Sequence, residues 1–140
     1  MISINRYHDI SAGHRVVGHE NKCSHLHGHN FRVHFTVSAD QLDAIGRITD
    51  FGVIKKQLCD WLENNWDHRF LLYEADTLLE SLKQIAPQDI VICPFNPTAE
   101  NMAKYLCEVV GPQQLKGTGC QLIKCTIEET RKCSATYEIS

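Results

Sequence analysis

The chain has 140 residues and a formal net charge of −3 at pH 7. This length predicts one domain, spanning residues 1–140, with enough apolar residues for a core. The weakly acidic balance gives no electrostatic basis for binding nucleic acid or an anionic membrane, and no stretch reaches the apolar length of a membrane span. Because the N-terminal residues lack the basic start and apolar run of a signal peptide, we expect a cytoplasmic protein.

The cysteine pattern supports the same expectation. Seven cysteines is a high number for this length, but the count is odd and no Cys-x-x-Cys pair occurs. Cys59 and Cys107 fall in predicted helices, and Cys93, Cys120 and Cys125 in predicted strands. This distribution indicates reduced, buried thiols rather than a disulfide framework.

The first third of the chain predicts strands. Residues 2–14 mix apolar and polar positions and predict a strand, followed by a polar loop over residues 15–22. Alternation of apolar and polar residues over 31–37 predicts a half-buried antiparallel strand with His34 on its outer face. Residues 38–46 predict a turn, and Gly46-Arg47-Ile48 predicts the start of another short strand.

Two amphipathic helices dominate the rest. Asp50 is a suitable N-cap for the first, which carries apolar residues at helical spacing through residue 65. Asn96-Pro97-Thr98 opens the second, because Asn or Thr can cap a helix and Pro suits its first turn. Gly111-Pro112 is expected to end that helix.

Shorter elements complete the order. Residues 77–85 predict a short helix, residues 89–93 a strand, and residues 121–129 and 134–139 the two last strands. Strand pairs joined as hairpins rather than βαβ units predict an α+β fold with an antiparallel sheet.

A histidine-rich run precedes the second strand. His27 and His29 point to the same face of a strand, roughly 6.5–7 Å apart, so both imidazoles can reach one ion. His25 has the same parity but lies about 13 Å along the strand from His29, which makes His14 on another strand the better third ligand. Three histidines with an open position are typical of catalytic zinc; a closed structural site with Cys23 as fourth ligand is the alternative.

Further residues have the chemistry of an active site. A cation near Cys23 favours its reactive thiolate, and Asp67-His68 offers a histidine oriented by a carboxylate. Glu129 shares strand parity with Ile127 and is predicted to point inward, where a ligand with N–H donors would satisfy it. The alternatives are that Asp67 merely ends a helix and that Glu129 faces solvent.

These residues together resemble the 6-pyruvoyl-tetrahydropterin synthase/6-carboxy-tetrahydropterin synthase family. The resemblance runs almost end to end. It rests on Ala12-Gly13-His14-Arg15, Cys23-x-x-x-His27-Gly28-His29-Asn30, Asp50-Phe51, Asp67-His68, Asn96-Pro97-Thr98-Ala99-Glu100-Asn101 and Glu129-Thr130. The spacing of Cys23 from His27 is similar to that of the bacterial 6-carboxy-tetrahydropterin synthases of queuosine biosynthesis, whereas the pyruvoyl enzymes have a longer gap.

The resemblance implies the T-fold, an α+β subunit with two main helices on one face of a four-stranded antiparallel sheet. Subunits join their sheets into β-barrels, as a homohexamer of two stacked trimers with active sites at subunit interfaces. Such sharing would also remove exposed sheet edges. The implied partners are further copies of the chain and a small-molecule pterin substrate, 7,8-dihydroneopterin triphosphate.

Site residues follow from the matched motifs. Zinc would be held by His14, His27 and His29. Cys23 would be the proton-transferring base, with Asp67 and His68 completing its relay from a neighbouring subunit. Glu129 would anchor the pterin, and Thr98 would help to line the pterin pocket.

The implied reaction releases triphosphate and acetaldehyde and leaves 6-carboxy-tetrahydropterin. A pyruvoyl or aldehyde product is one alternative, and a non-catalytic pterin- or metal-binding protein is another. Arg15, Lys22 and Lys132 are the basic candidates for contacting the triphosphate.

Overall fold

The computed structural model of the chain describes residues 1–18 and 24–140. In these ranges one sheet has six strands, which in chain order are β1 (Ile4–His14), β2 (His27–Ala39), β3 (Phe70–Tyr73), β4 (Ile90–Cys93), β5 (Cys120–Glu128) and β6 (Ser134–Glu138). Their order across the sheet is β4-β3-β1-β2-β5-β6.

Four of these strands form the predicted antiparallel sheet. β1 pairs with β2 without interruption from Ile4↔Val37 to His14↔His27, and β5 and β6 continue the antiparallel pairing. A bulge between Thr36 and Val37 shifts the β2–β5 register. This long meander carries the inward-facing side chains of both the core and the histidine run.

The prediction of a purely antiparallel, four-stranded sheet is wrong in its count. β3 and β4 add a parallel pair beside the end of β1, where Gly13 and His14 lie opposite Phe70 and Leu71. The sequence of β3 is a short apolar run without alternation, and such a run gives no periodic strand pattern.

The strand predicted at Gly46-Arg47-Ile48 is also wrong. Residues 43–47 form a turn, in which the Asp43 carboxylate accepts hydrogen bonds from the backbone N–H groups of Ile45 and Arg47. Gly46 has a φ of 93°, in the left-handed region. Because the Asp43 side chain satisfies these backbone donors locally, the segment does not join the sheet.

Three helices accompany the sheet. α1 spans residues 51–65 as Phe51–Ile54, a π-helical turn Lys55–Cys59 and Asp60–Asn65, and α2 is Leu79–Ile85. α3 spans residues 99–114 as Ala99–Tyr105, a π-helical turn Leu106–Val110 and Gly111–Gln114. None of the helices in the described ranges is long and apolar enough to cross a membrane.

The predicted helix starts are confirmed, but the predicted end of α3 is too early. Asp50 accepts from Gly52 N–H at 2.7 Å, and Thr98 accepts from Asn101 N–H at 3.1 Å. α3 continues past Gly111 because the Gly111 N–H donates to the Leu106 carbonyl five residues back. This wider turn accommodates Pro112, which would otherwise clash in an α-helix.

The two faces of the sheet differ in character. α1 and α3 cover one face, where Phe31, Val33, Phe35 and Val37 are fully buried together with apolar residues of both helices. The helix-free face is polar: Arg32 pairs with Asp9 at 2.8 Å, and His34 pairs with Glu128.

Candidate metal centre and active site

Three histidines meet where β1 ends and β2 begins. His14 and His27 are direct partners in the β1–β2 register, and His29 lies opposite Ala12. The ring centroids are 4.5 Å apart for His14–His27, 5.2 Å for His14–His29 and 4.9 Å for His27–His29. The parity of His27 and His29 places both on the helix-covered face, in line with Phe31.

Backbone carbonyls fix the ring orientation of two of these histidines. His14 Nδ1 lies 2.6 Å from the Pro97 carbonyl, and His27 Nδ1 lies 2.7 Å from the His25 carbonyl. A carbonyl only accepts, so each Nδ1 carries the proton and donates it. The Nε2 atom of each ring is therefore left with a free lone pair, as a metal ligand requires.

The three Nε2 atoms are buried without a hydrogen-bond partner among the described residues. With a carboxylate oxygen of Glu129 they form a group of ligand atoms that all lie within 4.8 Å of one another. Buried polar atoms without partners are costly, by about 1–3 kcal/mol each. A metal ion would satisfy all three at once, so the residues fit the ion that the sequence predicts.

The protonation of the site suits the same role. Burial lowers the pKa of His14 below its ordinary value, against the opposing hydrogen bond to the Pro97 carbonyl. Burial also lowers the pKa of His29, against the opposing charge of Glu129. Both shifts keep the imidazoles neutral, which is the form that binds metal.

Glu129 points toward this cluster, as its strand parity predicts. Its Oε1 lies 3.1 Å from His29 Nε2 without forming a hydrogen bond. The side chain keeps 24% of its surface exposed, so the carboxylate is open to a ligand on one side. The backbone N–H of Glu129 donates to the Cys133 carbonyl, which holds the turn after β5.

Asp67 and His68 form a second group, directly after α1. Asp67 Oδ1 accepts from the Ser11 N–H at 2.9 Å, and Oδ2 lies 2.8 Å from His68 Nδ1. The His68 side chain is 80% exposed, and its φ of 58° is the one positive value at a non-glycine residue of the described ranges. Such a conformation is uncommon, and residues in sparsely populated backbone regions cluster at functional sites.

The pKa of Asp67 lies below its ordinary value. Burial raises it, but hydrogen bonds from the Ser11 N–H and from His68 outweigh that effect. The carboxylate is thus charged at neutral pH and orients the His68 ring as predicted.

Two open clefts adjoin the dyad. One, of about 690 Å³, is lined by Asp67, His68, Glu129 and Arg131 among other residues. The second, of about 550 Å³, is lined by both His29 and His68. The dyad is not part of the ligand cluster itself.

Thr98 lies at the start of α3, directly after the residue that holds His14. Its hydroxyl caps α3, and Pro97 before it supplies the carbonyl that holds His14. Neither of the two clefts that adjoin the dyad includes Thr98 among its lining residues in the described part of the chain.

Cys23 and Lys22 lie outside the described residues, as does His19. Arg15, a candidate for contacting phosphate, is engaged within the chain: its Nε donates to the Ser24 carbonyl at 2.8 Å, and its guanidinium pairs with buried Asp76. These contacts give Arg15 a structural role, which its sequence position did not reveal.

The sequence also did not predict that the Asn96 side chain binds the backbone of a distant residue. Its amide accepts from the Val17 N–H and donates to the Val17 carbonyl, each at 2.9 Å. It thereby fixes the chain just after His14 against the start of α3. The Asn-Pro-Thr motif revealed only the helix start, because a contact between residues 79 positions apart has no local pattern.

Fold and site together define an α+β protein in which three histidines that could hold a metal ion meet at the strand ends of a helix-covered meander. The sequence profile of the 6-pyruvoyl tetrahydropterin synthase family matches residues 3–140, and the chain belongs to this family.

Individual relatives support this assignment. A 6-carboxy-5,6,7,8-tetrahydropterin synthase from Rickettsia typhi is 34% identical over 134 residues, covering 95% of this chain and 97% of that protein. A probable 6-carboxy-5,6,7,8-tetrahydropterin synthase from Halobacterium salinarum is 37% identical over 99 residues, which are 69% of this chain and 61% of that protein.

Solved structures confirm the predicted T-fold. An uncharacterized protein from Wolinella succinogenes has a TM-score of 0.85 at 22% identity, covering 99% of this chain and 98% of its own. The Caenorhabditis elegans 6-pyruvoyl tetrahydropterin synthase has a TM-score of 0.70 at 24% identity, covering 99% and 96%. At these identities the likeness shows the fold alone.

Proposed function

We propose that the chain is a zinc-dependent 6-carboxy-tetrahydropterin synthase. It would convert 7,8-dihydroneopterin triphosphate and water to 6-carboxy-5,6,7,8-tetrahydropterin, triphosphate and acetaldehyde, a step of queuosine biosynthesis. The observation that carries the proposal is the convergence of three buried, unpartnered Nε2 atoms. It occurs in a chain that aligns nearly end to end with a relative named for this activity.

Zinc is the metal that this donor set favours. Neutral imidazoles are common zinc ligands, and three protein ligands leave a position for water or substrate. Lewis acidity toward the hydroxyl groups of the substrate side chain is the chemistry that the zinc supplies when bound. Free thiols at the buried Cys59, Cys93, Cys107 and Cys125 support a reducing, cytoplasmic location as part of the proposal.

Proton transfer is assigned to this chain's own side chains. We assign Cys23 as the thiol base on the strength of its sequence motif, and His68 as its proton partner. The Asp67 carboxylate holds His68 Nδ1, so the Nε2 of the exposed ring is free to exchange protons with substrate or thiol. Under this assignment Cys23 stays off the metal.

Substrate binding is assigned to Glu129 and Thr98. A carboxylate accepts two parallel N–H donors, and a pterin offers its ring N–H and its amino group in that arrangement. Glu129 stands at the metal cluster with a partly exposed carboxylate, so it would hold the ring while the side chain reaches the metal. The Thr98 hydroxyl accepts from Asn101 N–H and still has its own proton to donate.

The proposed assembly is a homohexamer with sites at subunit interfaces. β1 pairs with β2 along one side. On its other side β3 pairs only with Gly13 and His14, so residues 4–10 of β1 have no strand partner on that side within the described chain. β6 is the opposite edge of the sheet. Pairing these edges between subunits closes a barrel, and the exposed His68 could then serve the site of a neighbouring subunit.

Product analysis tests the proposed function. Zinc-loaded protein is incubated with 7,8-dihydroneopterin triphosphate, and acetaldehyde is measured together with the pterin product. We expect equimolar acetaldehyde and 6-carboxy-tetrahydropterin. Cys23→Ala should lower turnover by at least about 100-fold, while Cys133→Ala, a matched change of an exposed thiol, should leave it intact.

Two results would contradict the proposal in different ways. Triphosphate release without acetaldehyde would assign the chain to the pyruvoyl type of reaction. Full zinc loading with substrate bound but never consumed would make it a pterin-binding protein.

A further inference from the structure

Arg15 links the two strands of the histidine cluster at the point where their pairing ends. The pairing of β1 with β2 ends at His14 and His27. Arg15 follows His14, and its Nε donates to the Ser24 carbonyl at 2.8 Å. Ser24 in turn lies shortly before His27 in the chain. The Arg15 side chain therefore joins the two segments that extend beyond the last strand pair.

A buried carboxylate holds the guanidinium of Arg15. Arg15 Nη1 donates to Asp76 Oδ1, and the Asp76 side chain is fully buried. The same oxygen accepts from the Leu78 N–H at 2.8 Å, and the Asp76 N–H donates to the Tyr73 carbonyl at the end of β3 at 2.9 Å. Among the described residues, Asp76 Oδ2 has no hydrogen-bond partner, and Arg15 is the one cation paired with this carboxylate. Because a buried charge needs such a partner, Asp76 fixes the place of Arg15.

The residue after Ser24 holds a member of the histidine cluster. The His25 carbonyl accepts from His27 Nδ1 at 2.7 Å. The side chains of His25 and Leu26 are exposed, so they supply little packing to hold this segment. The Ser24 and His25 carbonyls belong to consecutive peptide units, which are rigid planes joined by two dihedral angles. The hydrogen bond to Ser24 therefore limits where the His25 carbonyl can lie.

We propose that Arg15 and Asp76 are positioning residues for the metal ligand His27, a role that rests on the metal binding proposed above. Contacts run from Asp76 to the His27 ring through Arg15 and two backbone carbonyls. The ring must keep its proton on Nδ1 so that Nε2 can bind the ion. Neither Arg15 nor Asp76 belongs to the group of ligand atoms. Both act through the backbone that accepts the hydrogen bond of His27.

Paired substitutions separate this role from a merely stabilising one. Arg15→Met leaves the Asp76 carboxylate buried without its cation and should lower the urea concentration at the midpoint of unfolding. Arg15→Met/Asp76→Asn removes both charges, and its asparagine oxygen can still accept from the Leu78 N–H, so most of the stability should return. Zinc affinity, measured by competition with a chelator, should nevertheless stay about 10-fold below the wild type in the double variant. A merely stabilising pair predicts that zinc affinity returns with stability, and the double variant decides this even if Arg15→Met fails to fold.

A second Arg–Asp pair of the chain provides a matched control. Arg47 Nε donates to Asp43 Oδ2 at 2.6 Å, and Asp43 Oδ1 accepts from two backbone N–H groups of its own turn. This turn follows the end of β2 that is opposite to His27. Arg47→Met/Asp43→Asn should therefore leave zinc affinity unchanged. An equal loss of affinity in this control would overturn the proposal, because the loss of any such pair would then suffice.

NMR of the imidazole nitrogens in the metal-free protein follows His27 directly. At about pH 8, where imidazoles are ordinarily neutral, wild-type His27 should be the Nδ1–H tautomer. Arg15→Met/Asp76→Asn should show a mixture of tautomers, and His27→Gln assigns the resonance. Wild-type zinc affinity or a wild-type His27 tautomer in the double variant would overturn the proposal. A wild type that binds no zinc would instead contradict the proposed function, and the tautomer would still decide the role of Arg15 and Asp76.

Discussion

The metal cluster and the Asp67–His68 dyad both contact β1, yet they are built in opposite ways. His14 is 1% exposed, and it is held by a backbone carbonyl. His68 is 80% exposed at its side chain and has a left-handed backbone. The histidines of the first group converge inside the fold, while the second group presents its ring to solvent.

This difference indicates how the site is divided. A metal centre needs ligands held rigidly, which long paired strands provide. Under the proposed function the His68 ring serves the site of a neighbouring subunit, and such a ring must instead project from its own surface. Metal binding by the cluster should therefore be sensitive to the loss of a ligand atom. The properties of the dyad should be sensitive to changes in nearby charge and in the backbone conformation.

The largest expected effect is loss of metal on removal of one ligand. His27→Ala should lower zinc affinity by more than about 100-fold, because even changes to groups behind the ligands lower affinity 10- to 100-fold. His25→Ala is the matched control, because the contact of His25 with the cluster is made by its backbone carbonyl, which the variant keeps. Zinc content after dialysis against a chelator checks both. Equal retention of zinc by both variants would contradict the assigned ligand set.

A second prediction concerns the contact that joins the two groups. A Cβ atom at Gly13 would lie 2.3 Å from the Phe70 ring, and the Gly13 N–H donates to the Arg69 carbonyl at 2.9 Å. Gly13→Ala should therefore lower the free energy of unfolding by about 1–3 kcal/mol and displace the segment that carries His68.

Urea unfolding of Gly13→Ala, Phe70→Leu and the double variant measures this contact. If the clash is the cause, the double variant should be more stable than the sum of the single changes implies. Simple additivity would show that Gly13 is needed for another reason.

The sequence predicted that the three histidines would meet, because that geometry is local. The spacing of His27 and His29 fixes their common face, and a neighbouring strand supplies His14 with little freedom of register. The helix starts at Asp50 and Thr98 were equally local, since a cap depends on residues within one turn.

The remaining parts of the site depend on long-range contacts. Pro97 meets His14 across 83 positions, and Asn96 meets Val17 across 79. Periodic patterns in the sequence do not predict such long-range contacts. β3 was missed for a related reason: its four residues form a strand because β1 and β4 flank them, not because their own pattern demands it.

A third prediction uses the pH dependence of the metal-free protein. The pKa values of His14 and His29 are lowered in the folded state, so the unfolded chain binds more protons below the ordinary histidine value. The contribution of these two histidines to the free energy of unfolding is therefore fully present above about pH 6.5, and it is lost as the pH falls below that value.

Urea unfolding in the presence of a chelator, at pH 7.5 and pH 5, measures the loss. His14→Phe should reduce it, because a buried group that resists protonation is gone. His25→Ala should leave the loss as in the wild type. A variant lacking His14 that loses as much stability as the wild type would show that other groups control the acid sensitivity.

The smallest expected effect is a change in the free energy of unfolding caused by the backbone conformation of His68. Its φ of 58° is unfavourable for a side chain with a Cβ but not for glycine. His68→Gly should raise the free energy of unfolding by up to about 1 kcal/mol relative to His68→Ala, while both variants lose turnover. Thermal unfolding of the pair measures this difference, with the lost contact to Asp67 common to both. A glycine variant no more stable than the alanine variant would show that this backbone is not strained, and that the exposed dyad is as relaxed as the buried metal cluster.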